Sequence, residues 1–80
     1  MQNIENQVFE PAYRLVRYFG TQDKTAEALN VKQGTVNGWV NCKHGISSLN
    51  AQRAERLTGG EIKASDLCPE LLELEAMIDD

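Results

Sequence analysis

No apolar stretch in this sequence approaches the roughly 18 residues of a membrane span. The first ten residues, MQNIENQVFE, hold neither a basic region nor an apolar run, so a secretory leader is not expected. Histidine occurs once and cysteine twice, at Cys42 and Cys68. A zinc site needs three or four ligands at a recognisable spacing, and these residues have none. Without a secretion signal, two reduced and partly buried thiols are expected rather than a disulfide. The sequence also lacks a glycine-rich phosphate loop and a paired nucleophile and base. No enzymatic activity, metal or cofactor is therefore expected, and the expected location is cytoplasmic.

The composition, 41% hydrophobic and 25% charged over 80 residues, is that of one small globular domain. The net charge of −4 is unevenly spread. Residues 11 to 58 carry Arg14, Arg17, Lys24, Lys32, Lys43, Arg53 and Arg56 against Asp23, Glu27 and Glu55, a net +4. Residues 59 to 80 carry Lys63 against seven carboxylates, a net −6. A basic middle is thus followed by an acidic end, and the global charge is a poor guide to partners.

Helical periodicity dominates. PAYRLVRYFG places Ala12, Leu15, Val16 and Phe19 on one stripe, with Pro11 suited to a first turn and Gly20 to a stop. Thr21 is a good N-cap for a second helix through QDKTAEAL that buries Thr25, Ala26 and Leu29. Asp23 lies in its first turn, where a carboxylate favours the helix dipole. SSLNAQRAERLTGG has Ser47 or Ser48 as cap, Gly59-Gly60 as terminator, and Ala54 with Leu57 on an inward stripe. SDLCPEL predicts a short turn interrupted by Pro69. PELLELEAMIDD puts Leu71, Leu74 and Ile78 on one stripe.

KQGTVNGWVN is ambiguous. Asn37-Gly38 between Val36 and Trp39 is a strong signal for a two-residue hairpin. The strands it would join, GTV and WVN, are shorter than the usual five or six residues and isolated in a helical chain. At roughly 100° per residue, Val36, Trp39 and Val40 share one helical face. Gly34, Gly38 and Asn41 fall on the opposite one, flanked by Asn37 and Thr35. Two glycines at such a spacing each cost about 1 kcal/mol relative to alanine, so this helix would depend on packing. The helical reading uses more of the sequence and is the one expected.

Counted from Gln22, Ala26 is fifth, Leu29 eighth, Asn30 ninth, Val31 tenth, Val36 fifteenth and Trp39 eighteenth. This spacing resembles the helix-turn-helix motif, in which a small fifth residue lets the two helices cross closely. The ninth position, usually glycine, needs a left-handed backbone, for which asparagine is the best substitute. YFGTQDKTAEALNVKQGTVNGW resembles the small Cro repressors of lambdoid phages. RAERLTGGEIKASDLCPEL is similar to the closing segment of the YdaS-type prophage regulators. Together the two resemblances cover roughly residues 13 to 72. The sequence departs from the pattern at Lys32, where Ser or Thr usually caps the recognition helix, and at Cys68, which replaces a frequent basic residue. The resemblance implies an all-α, four- to five-helix domain of the Cro-like, lambda-repressor-like type over residues 1–72, with residues 73–80 as an acidic tail.

In that docking geometry the second helix of the motif enters the major groove. Gln33 and Asn37, with Asn41 at the far end, could each bond adenine N6 and N7 together, for about 1–3 kcal/mol of discrimination. Thr35 offers a methyl for thymine or a hydroxyl for phosphate. Gly34 and Gly38 would let the backbone approach the groove floor. Lys32, Lys43 and His44 are candidates for phosphate contacts, although His44 could equally interact with the carboxyl end of the helix. The backbone amides around Thr21 and Gln22 could hold a further phosphate. The expected partner is double-stranded operator DNA, bound by a homodimer or higher homo-oligomer across an inverted repeat to repress transcription. Two other classes compete: an antitoxin-like regulator binding a protein partner through the acidic tail, and an activator of the CII type.

Overall fold

The computed structural model describes residues 8–73. All regular secondary structure among them is helical: α1 (Glu10–Phe19), α2 (Gln22–Leu29), α3 (Gln33–Val40), α4 (Ser48–Leu57) and α5 (Ala64–Leu67), followed by a helical segment at 70–73. Asn37-Gly38 lies inside α3, so the hairpin is excluded. The residues gather into two units that divide between Gly45 and Ile46.

In the first unit, α1 begins after Phe9, with Pro11 in its first turn. Ala12 and Leu15 are buried, and Val16 and Phe19 are half-buried. The helix stops at Gly20, whose φ of 112° disfavours any other residue and whose amide donates to the Val16 carbonyl at 2.7 Å. Thr21 then caps α2, its Oγ1 accepting from the Lys24 amide at 3.0 Å. One turn on, the buried Thr25 hydroxyl donates to the Thr21 carbonyl at 2.8 Å. At the far end Asn30 takes the left-handed conformation, φ 59° and ψ 47°. The amides of Asn30 and Val31 return to the carbonyls of Glu27 and Ala26, a turn that satisfies the open end of the helix.

α2 packs against both α1 and α3, and α1 also touches α3. The core they share comprises Leu15, Leu29, Val36, Trp39 and Val40 with Ala12 and Ala26. Ala26, 5% exposed, is small enough to let helices cross closely where a longer side chain would hold them apart. The Phe9 amide donates to the carbonyl of Val40 at 2.9 Å, tying the entry of α1 to the end of α3.

The second unit pairs α4 with α5. Ser47, not Ser48, is the cap, and its Oγ accepts from the Asn50 amide at 3.2 Å. The inward stripe is Ala51, Ala54 and Thr58, and Leu57 does not belong to it, being 44% exposed. Burial of Thr58 accounts for the difference: its hydroxyl donates to the Glu55 carbonyl at 3.2 Å and accepts from the Ile62 amide at 3.1 Å. A fully satisfied hydroxyl can be buried at little cost, so the inward position falls to Thr58. Lys63 offers α5 no side-chain cap. The Glu55 carboxylate supplies it from α4, accepting from the Ala64 amide at 2.7 Å. Cys68 is extended, with ψ 87°, as the residue before Pro69 should be. Leu71 is half-buried; Leu74, Ile78 and most of the acidic tail lie outside the described residues.

Candidate nucleic-acid interface

α3 carries most of the residues expected to read bases. Gln33, Gly34 and Asn41 are exposed, Thr35 and Asn37 half-buried, and Lys32, Lys43 and His44 exposed on either side of the helix. Lys32 stands at the N-cap with no side-chain hydrogen bond, so the missing Ser or Thr has no substitute there. Val36, Trp39 and Val40 anchor the opposite face in the core.

Three of the predicted residues are joined in one polar array. Gln33 Nε2 donates to Gln22 Oε1 at 2.6 Å, and Asn37 Nδ2 donates to the same oxygen at 3.3 Å. The sequence reading used the backbone amide of Gln22 and missed its side chain. No local signal marks that side chain, because it meets α3 only where the two helices cross. One bond from Gln33 fixes its amide plane and leaves its Oε1 and its second N–H uncommitted. Asn41 is less available: its Nδ2 donates to the Asn37 carbonyl at 3.0 Å, leaving its side-chain carbonyl as the open group. The Thr21 hydroxyl already serves as the α2 cap.

The two glycines of α3 are not equivalent. A Cβ at Gly34 would meet nothing within 4 Å, which is open space. Gly38, expected on the outward face with it, is buried. A Cβ at Gly38 would run into the Nε2 of His44, with Cδ2 and Cε1 each at 2.7 Å. The imidazole thus fills the space over Gly38, and of the two glycines expected to bring the helix backbone close to a groove floor only Gly34 has open space above it.

α3 ends in a tight reversal. The Cys42 amide returns to the Trp39 carbonyl at 3.3 Å and the Lys43 amide to the Gly38 carbonyl at 2.8 Å. This pair of bonds requires a left-handed residue between helix and loop, and Cys42 takes that conformation at φ 60°. Its thiol is free and exposed, not partly buried as expected; Cys68 is free and buried. A left-handed residue with a side chain costs roughly 1–2 kcal/mol, partly offset in glycine by chain entropy. Cys42→Gly is therefore expected to raise stability by about 1 kcal/mol in urea denaturation, and Cys42→Val to lower it. Equal stability of the three proteins would count against the assignment.

An open concavity beside α2 is lined by Asp23, Ala26, Glu27, Asn30, Val31 and Gln33. It carries the two carboxylates of Asp23 and Glu27. Among the described residues no group of three or more His, Cys, Asp or Glu could hold a metal ion. No helix among them is long and apolar enough to cross a membrane.

The profile of the family described as "Bacterial toxin YdaS" matches residues 13–73. The chain belongs to the YdaS family. It is also 58% identical over 55 residues to "Regulatory protein cro" of Pseudomonas phage D3. That match covers 69% of this chain and 75% of the phage protein. No solved structure matches. The YdaS match takes in the whole α2–α3 motif, the Gln22–Gln33–Asn37 array and the segment through α5.

Proposed function

We propose that this YdaS-family protein regulates transcription by binding a specific double-stranded operator through α3, acting as a repressor from a phage or prophage. The observation that carries the reading is the array in which one oxygen of Gln22 holds both Gln33 and Asn37 on the exposed side of the motif. A glutamine amide held by one N–H can still accept from adenine N6 and donate to N7. Restricting its rotation before binding reduces the entropy lost on contact. Thr35 adds a methyl or hydroxyl, and Gly34 lets the backbone come near the groove floor. Lys32, Lys43 and the amides opening α2 would neutralise phosphates and set the register without reading sequence.

A single copy makes few base contacts. We infer that two copies bind half-sites about 34 Å apart across an inverted repeat. Residues 1–72 serve as the binding domain, and the acidic residues 73–80 oppose non-specific attraction to phosphate.

The test separates reading from positioning. Gln33→Ala should weaken binding to the best site, selected from random duplexes, by about 1–3 kcal/mol and leave random DNA nearly unaffected. Lys43→Ala should weaken both alike and lower the salt slope by about one. If Gln33→Ala binds every duplex as the parent does, α3 is not the reader. The family description, which names a toxin, then favours the second reading, a regulator that acts through a protein partner.

A further inference from the structure

Gly38 and His44 form a pair that the assignments above leave without a role. A glycine inside a helix costs about 1 kcal/mol relative to alanine, and Gly38 is not at a turn. It is buried beneath the His44 ring, which occupies the place of its missing side chain. Between the two residues the chain reverses through Cys42, and the Lys43 amide is bonded to the carbonyl of Gly38 itself. The ring and that bond therefore both engage the same helical residue, through the consecutive residues Lys43 and His44.

We propose that His44 is a positioning residue: seated over Gly38, its ring holds the Cys42–Lys43 reversal against the end of α3 and so presents Lys43 to a DNA phosphate. The inference rests on the DNA-binding reading above. It goes beyond that reading by assigning His44 no phosphate contact of its own and by giving Gly38 a purpose within the protein. Nε2 is the ring atom nearest Gly38, so the tip of the imidazole points at the helix.

The experiment uses the full chain with Gly38→Ala, His44→Ala, the double variant, and His44→Phe. Without DNA, the seating alone is tested. Gly38→Ala should raise the folding equilibrium constant about fivefold in the His44→Ala background, where the space is vacant, and should give no gain when the histidine is present. The Gly38 α-proton resonances should carry a ring-current displacement that His44→Ala abolishes and His44→Phe retains. Equal effects of Gly38→Ala in both backgrounds, or no displacement, would overturn the seating whatever the protein binds.

The positioning role is read from the salt dependence of binding to a random duplex. His44→Ala and Gly38→Ala should each lower the slope as Lys43→Ala does, by about one, and His44→Ala should lower it no further in a Lys43→Ala background. His44→Phe should keep the parent slope, since the ring is retained without its donors. If His44→Phe loses the slope as alanine does, the imidazole N–H contacts the phosphate itself and the proposal fails. If no variant or parent binds duplex DNA, the positioning role falls with the DNA-binding reading, while the stability cycle still decides whether the ring is seated.

Discussion

Replacing Trp39 by alanine is expected to remove most of the stability of the protein. Trp39 is 2% exposed and stands between Val36 and Val40 on the buried face of α3. Truncating a buried tryptophan costs about 3–5 kcal/mol through lost burial and the cavity left behind. The whole reserve of a chain of 80 residues is only about 4–12 kcal/mol. α3 is especially dependent on this contact, because Gly34 and Gly38 give it poor intrinsic helicity. Trp39 is the single tryptophan, so the measurement is urea unfolding followed by far-ultraviolet circular dichroism. Trp39→Phe should keep much of the loss from appearing. A loss below about 1 kcal/mol for the alanine variant would mean that α3 does not depend on this side chain.

Leu29→Ala is expected to cost about 2–5 kcal/mol. Leu29 is completely buried at the last position of α2, directly before the left-handed Asn30. Collapse around the vacancy is hindered on both sides: the Thr25 hydroxyl is committed to the Thr21 carbonyl, and the Val31 amide to the carbonyl of Ala26. The cavity term should therefore be near the upper part of its range. The urea midpoint should fall with the denaturant slope unchanged, as for a loss confined to packing. A changed slope with little loss at zero denaturant would point instead to an altered unfolded state.

The features readable from the sequence are those whose cause is local. Thr21 and Ser47 cap because their hydroxyls reach an amide three residues on, and Asn30 turns because a short amide tolerates a left-handed backbone. The periodicity of Val36, Trp39 and Val40 decided helix against hairpin for the same reason. What escaped the reading depends on where the chain reverses or its helices cross. Leu57 yields the inward position because Ile62 returns to satisfy the Thr58 hydroxyl. Gly38 is covered because the chain reverses at Cys42 and brings His44 back over it. The side chain of Gln22 meets Gln33 and Asn37 only once α2 and α3 have crossed. Residue type alone did not show these contacts; the chain reversals and the helix crossing made them.

The bond from the Phe9 amide to the Val40 carbonyl makes that proton a clock. An amide at the entry of a helix normally exchanges with deuterium within the time of end fraying, since nothing inside the helix holds it. At Phe9 the acceptor belongs to the last residue of α3, so local fraying of α1 must also break a link across the unit. Deuterium uptake at this one site should therefore be slow and should track the separation of α1 from α3, with the same dependence on denaturant as the core amides of Leu15 and Val36.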